Sequence, residues 1–369
     1  MPDLFDQSLK PEDLAARVGR LDQVAGARPF VFDDGPARGM RGVDVWTGSG
    51  LEFTVLPDRC LDIGAAHFAG RALAWQSSTG PVRPERYEPQ GFGGLRSFHG
   101  GLLTTCGLRH FGAPDGDPNG ESWGLHGRAS NLAAEDVAVQ RGWEGGQYVI
   151  RVRGTVREAE VFKPTLVLER TISTALGSRE IRIADRVSNV GHEPSSAMLL
   201  YHVNLGWPLL SENSRLLVAA ESVKPMTDHA ASALADHGRM MPPTPGFKEM
   251  VYLLEPKAGA DGLCRAALLN PDLDGGTALS LEWPKATMPY MAEWKMMGQG
   301  TYVLGMEPCN APFPPRAELW KSGRMPVLEP GASFDAGVTI RVHRGTDELR
   351  DLHRTIGGPA NRRRRPRAK

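Results

Sequence analysis

Four short segments of the chain set an ionisable side chain among glycine, proline or asparagine: residues 57–64 (PDRCLDIG), 124–131 (GLHGRASN), 201–208 (YHVNLGWP) and 305–310 (GMEPCN). Those companions bend or end strands, so the ionisable groups are expected at strand ends, converging on one another instead of facing bulk solvent. His126 has Gly124 and Gly127 close by, which lets the backbone turn tightly and the imidazole approach a ligand. His202 follows the apolar run 197–200 and is therefore desolvated; an imidazole in such a place is a candidate acid near neutral pH. Glu307 follows a second apolar run, 302–306, and precedes Pro308, which is expected to stop that strand. A carboxylate there either forms a buried ion pair, with Arg59 or Arg316 as partner, or exchanges protons with a substrate. Two histidines and a glutamate could also ligate zinc, but no H-x-H or H-E-x-x-H spacing occurs, and no metal or other cofactor is expected.

The elements that must carry these groups are strands. Residues 147–156 (QYVIRVRGTV), 165–173 (TLVLERTIS), 180–187 (EIRIADRV) and 333–343 (SFDAGVTIRVH) alternate apolar with polar residues, the period of a sheet with one face on a core. Helical spacing is confined to the ends, at 9–24, where Pro11 suits a first turn, and at 346–356. Short strands broken by turn residues, with no helices between them and no fixed-period repeat, predict an all-β fold: one large antiparallel β-sandwich with short terminal helices. We expect a single domain over residues 1–358, with 1–28 as an N-terminal helical extension and 359–369 as a basic, disordered tail. The stretches 80–94 and 229–247 read as long loops on that sheet, where binding residues tend to gather.

Composition narrows the function classes. The chain has 369 residues and a formal charge of zero, but its tail, from Arg362 to Lys369, supplies six of the 43 positive charges, leaving residues 1–360 at −6. An acidic body of this kind gives no nucleic-acid surface. No run of eighteen apolar residues and no basic leader occurs, so neither a membrane span nor export is expected. Cys60, Cys106, Cys264 and Cys309 are far apart with no C-x-x-C pair, which suits reduced thiols in a cytoplasm.

Taken together, the segments resemble the aldose 1-epimerase (galactose mutarotase-like) superfamily, most closely its DUF4432-type branch. Leu125-His126-Gly127 is similar to that superfamily's Leu-His-Gly segment, Asn204-Leu205 after His202 to its His-x-x-Asn-Leu segment, and 304–308 (LGMEP) to its terminal Leu-Glu-Pro strand, in the same order. The branch-level match is dense at 100–107 (GGLLTTCG), 201–210 and 293–310, within a resemblance spanning about residues 40 to 343. It implies a β-supersandwich holding a small-molecule carbohydrate, with Glu307 as general base, His202 as general acid and His126 hydrogen-bonding the substrate. The superfamily's Asn-Arg pair is matched in part by Gly70-Arg71, which makes Arg71 a candidate sugar ligand, whereas its sugar-gripping aspartate has no counterpart.

Trp207, Trp283, Trp294 and Lys295 could frame a sugar, since the C–H face of a pyranose packs on an aromatic ring. His99 and His110 flank the glycine-rich stretch 100–107 and are further candidates. Arg59 and Arg128 could bind a phosphate or carboxylate, with Asp58, Asp62 and Asn131 as alternative structural partners. The expected activity is anomer interconversion of an aldose by a monomer or homodimer. The other readings are a sugar-binding or sensing module without turnover, and a sugar isomerase acting at C2.

Overall fold

The computed structural model describes residues 10–357 together with 3–4 and 7–8. The four alternating segments are adjacent strands, Gln147–Glu158, Leu166–Ala175, Glu180–Asn189 and Ser333–Arg344, of an eight-stranded antiparallel sheet that Glu135–Glu144 begins and Thr277–Pro284, Leu263–Asn270 and Arg215–Val218 complete. Their inward residues are the expected ones; Ile150, Val152, Val156, Leu168, Ile172 and Ile183 belong to the main core.

A six-stranded antiparallel sheet provides the other side of that core. Its order is Ala220–Pro225, Met250–Pro256, Tyr290–Gly298, Thr301–Cys309, Met198–Leu205 and Thr104–Leu108. A five-stranded sheet that includes Asp62–Phe68 continues from its last strand through a bridge between Ile63 and Leu103. Leu199, Tyr201, Val203, Leu304 and Met306 point into the main core, whereas Met198, Leu200, Cys106 and Cys309 belong to a second cluster with Phe111 and Leu319. The even-numbered residues of Met198–Leu205 thus face away from the main core, yet every residue of that strand is buried. Loops cover this second face.

The C-terminal helix, Thr346–Ile356, has the expected bounds and buries Leu349, Leu352 and Ile356. The N-terminal expectation is only partly met. A helix forms at Pro11–Ala15 and one 3-10 turn at Leu21–Gln23, with Gly19 between them weakening any continuous helix. Gly26–Val31 is already a strand. The basic tail, 359–369, lies outside the described residues. No helix among the described residues is long and apolar enough to cross a membrane.

Candidate functional site

Two strands distant in sequence fix the centre of the site. Leu200 pairs with Cys309 and Val203 with Met306, so the shared antiparallel register sets His202 opposite Glu307 on the face turned away from the main core. The amide of Asn310 donates to Leu199 O at 3.1 Å, which by alternation makes 202/307 a non-hydrogen-bonded pair, the class whose side chains stand closest. Nε2 of His202 is 3.2 Å from Oε1 of Glu307, and both side chains are 4% exposed. That distance permits attraction, but the angle is not that of a hydrogen bond: Oε1 of Glu307 and Nδ1 of His202 are buried without a hydrogen-bond partner.

Neither arginine expected as a partner reaches Glu307. Arg316 forks onto Asp117 at 2.7 and 2.9 Å, and Arg59 donates to the carbonyl of Val82 at 2.9 Å. Burial, with Glu249 adding repulsion, pushes the Glu307 carboxyl well above the usual carboxylate range. Burial also pushes His202 well below the ordinary imidazole value; His126 adds to this and Asn204 opposes it. Pro308 does not end the Glu307 strand, which runs to Cys309 with Pro308 opposite Met291.

Rings close over the pair. The centroid of His202 is 5.4 Å from Phe98, 5.4 Å from His126 and 5.5 Å from Trp294, and Trp75 stands 5.9 Å from Trp294. His126 sits at a left-handed φ of 61°, followed by Gly127 at 70°, where an added Cβ would lie 2.2 Å from His110 O. Nδ1 of His126 faces the amide of Gly112 at 3.4 Å as an acceptor, which leaves Nε2 as the protonated nitrogen. His126 is half-buried, and burial, reinforced by His110, lowers its pKa to about 4. Trp294 shares a face with Glu307 because it pairs with Gly305, and its indole N–H donates to Glu249 at 2.9 Å.

Arg59 lies on the side of the site bounded by Thr104, and the buried His99 ring feels its charge. A cavity of about 20 Å³ is lined by Arg59, Tyr87, Phe98, Thr104, His126 and Asn131, among others. A larger cavity, of about 520 Å³ beside the C-terminal helix, is lined by groups already paired, as Arg179 with Glu348 and Arg265 with Glu282. With His202 and Glu307 in contact and so small a space beside them, a sugar ring enters only if the covering rings and loops shift.

Other expected residues lie elsewhere. Lys295 is corrected: strand alternation turns it away from Trp294, and its ammonium is buried against the carbonyls of His237 at 3.0 Å and Arg239 at 2.5 Å. Arg71 is exposed and paired with Asp274 at 3.2 Å, and Arg128 is also exposed. Trp283 fills the core, Trp207 is a surface residue, and His110 is tied to Ala113 O at 2.9 Å and stacked on Trp123. Phe98, Trp75, Thr104 and Glu249 were not singled out in the sequence; only Phe98 and Thr104, inside or beside the glycine-rich stretch, carried any local signal. Among the described residues no three His, Cys, Asp or Glu side chains converge as a metal site.

This fold, with an imidazole and a carboxylate facing each other on a covered sheet, is that of the galactose mutarotase-like sandwiches. A "putative aldose 1-epimerase" of Klebsiella pneumoniae is similar at 26% identity and a TM-score of 0.85, over 95% of this chain and 94% of that one. A galactose mutarotase-like protein of Clostridium acetobutylicum shares the fold at 11% identity and a TM-score of 0.64, over 87% of this chain and 99% of that one. Galactose 1-epimerase of Lactobacillus acidophilus does so at 12% and 0.56, over 87% and 99%. The family model described as a domain of unknown function, DUF4432, matches residues 37–342, and the chain belongs to that family. No curated protein matches it.

Proposed function

We infer that the protein is an aldose 1-epimerase-like isomerase that interconverts the anomers of a small carbohydrate by acid/base ring opening. The observation that carries this reading is the His202–Glu307 contact: a buried carboxyl and imidazole 3.2 Å apart, with no arginine or lysine to make either a structural ion-pair member. A pyranose opens when O1 loses a proton while the ring oxygen gains one. With the pair's proton on His202, Glu307 takes the O1 proton and His202 protonates the ring oxygen; closure on the other face of the freed aldehyde reverses both transfers. The dry site favours the proton on Glu307, and the hydroxyls of a bound sugar would solvate the carboxylate and shift it to His202. His126 Nε2–H is available to a substrate oxygen, and Trp294 and Phe98 offer ring faces to its C–H surface. All four cysteines are buried and unpaired, which suits a reducing, cytoplasmic setting.

The test is saturation-transfer NMR of anomer exchange over a panel of aldoses and their acidic derivatives. The wild type should speed exchange, and Glu307→Gln should reduce that effect by about 10²- to 10⁴-fold, the usual worth of a positioned acid or base. Full activity in Glu307→Gln would remove Glu307 from the chemistry. Deuterium entry at C2 would instead indicate isomerisation.

A further inference from the structure

Beside the histidine–glutamate pair lies a buried guanidinium that, among the described residues, no carboxylate contacts directly, although Asp62 attracts it from a distance. Arg59 is 1% exposed, and among the described residues its one hydrogen bond is from Nη1 to Val82 O at 2.9 Å; Nε is buried without a partner there. The carboxylates near it in sequence are used elsewhere. Asp58 accepts from Arg41 Nε at 2.7 Å, and Asp62 accepts from the amide and hydroxyl of Thr105 at 2.9 and 2.6 Å and approaches Arg170 at 3.4 Å. His99, 4% exposed, has neither ring nitrogen bonded, and the buried Oδ1 of Asn131 is also without a partner. Burying polar atoms without partners is costly, and burying an unpaired guanidinium more so. Such a cluster is understandable if a ligand completes it.

We propose that this cluster binds a carboxylate on C5 of the substrate, so that the enzyme acts on hexuronic acids. The proposal rests on the acid/base reading above and extends it to the substrate class. The order of strands sets the orientation. Thr104 is paired with His202, and Glu307 stands on the opposite side of His202, so the three side chains form a row across the sheet. With O1 at Glu307 and the ring oxygen at His202, the other atom bonded to that oxygen, C5, points toward the Thr104 side. Its exocyclic substituent is then directed at the cavity shared by Arg59, Thr104 and Asn131.

Charge selects among anions. One guanidinium and one neutral imidazole match a monoanion, whereas a phosphate dianion would leave charge uncompensated. Burial lowers the Arg59 pKa only to about 10, and it keeps His99 well below the ordinary imidazole value, so at neutral pH the cluster carries a single positive charge.

The experiment compares kcat/KM for anomer exchange of glucose, galactose and mannose with their uronates and 6-phosphates. The expected result is a preference for a uronate over its parent hexose of about 10- to 100-fold, the range of one or two charge-assisted hydrogen bonds. Arg59→Met should collapse that ratio, and Arg59→Lys should retain part of it. Equal or better turnover of neutral hexoses, or a preference for 6-phosphates, by the wild type overturns the carboxylate assignment while the epimerase reading stands. Exchange of no sugar sinks the epimerase reading. Calorimetry then judges Arg59 separately: glucuronate, galacturonate or mannuronate binding that Arg59→Met weakens supports the site, and no binding refutes it.

Discussion

A carboxyl and an imidazole in contact, both shielded from water, hold one proton between them over a wide range of pH. Glu307 releases its proton only well above the usual carboxylate range, and His202 gains one only well below the usual imidazole value. The apparent constants belong to the pair. We predict a broad bell for kcat/KM, falling on the alkaline side above the ordinary carboxylate range as the last proton leaves, and on the acid side below about 6.5 as a second is gained. The same shifts set a stability effect. A carboxyl with a raised folded-state pKa favours the fold while protonated and opposes it as pH rises through that value. Glu307→Gln should therefore melt no lower than wild type at pH 8 by calorimetry, while breaking a buried structural ion pair would cost about 3–5 kcal/mol. His202 and Glu307 were legible one at a time as polar residues ending apolar runs. Arg59 was read as a partner of Glu307, as a ligand for a substrate anion or as a structural partner of Asp58, Asp62 or Asn131, and nothing in local sequence chooses among these.

At the scale of the element, the site depends on two strands keeping step. Gly305 is where this is tightest, because a Cβ there would lie 2.3 Å from Glu307 Oε1 and 3.0 Å from the Trp294 Cβ. The first of these is the mobile end of a side chain, so Gly305→Ala should fold with a small change in stability and move the carboxylate. A displacement of about 1 Å in a catalytic group can cost about 10²-fold, and we expect a loss of that order in the anomer-exchange rate, measured beside an unfolding curve. Alternation alone revealed four of the eight strands of the large sheet, because one face of each meets the core and the other is open or half-open. Met198–Leu205 is buried on both faces, so its sequence shows no apolar–polar alternation over 198–201 and hides which residues point where. Register between strands about a hundred residues apart is absent from local sequence. Lys295 was misplaced because it is the neighbour of Trp294 on one strand and so takes the opposite face, and Pro308 because a proline can sit within a ladder wherever its missing donor is tolerated.

At the scale of the molecule, the two sheets enclose a second polar cluster behind the His202 strand. Arg170 forks onto Asp185 at 2.9 and 2.7 Å, donates to Thr105 at 2.7 Å and lies 3.4 Å from Asp62, while Tyr201 donates to Asp185 at 2.8 Å. All the ion-pair side chains are fully buried. This web fixes Tyr201 and Thr105, the neighbours of His202 and Thr104, from the core side. Arg170→Met strands two buried carboxyls and should lower the unfolding free energy by about 3–5 kcal/mol in urea titrations at pH 8. Burial already lifts Asp62 to about 6 with Arg170 in place, so the deficit should shrink at pH 5, where that carboxyl is neutral.

The packing of Trp294 against His202, with Trp75 against Trp294 in turn, has an optical corollary. Indole emission responds to the charge and polarity of its neighbours, and Trp294 adjoins the very imidazole on which the proton is expected to land. Titrating unlabelled protein with a saccharide should thus be readable from its intrinsic ultraviolet spectrum, and the share contributed by Trp294 is isolated by subtracting the trace of Trp294→Phe.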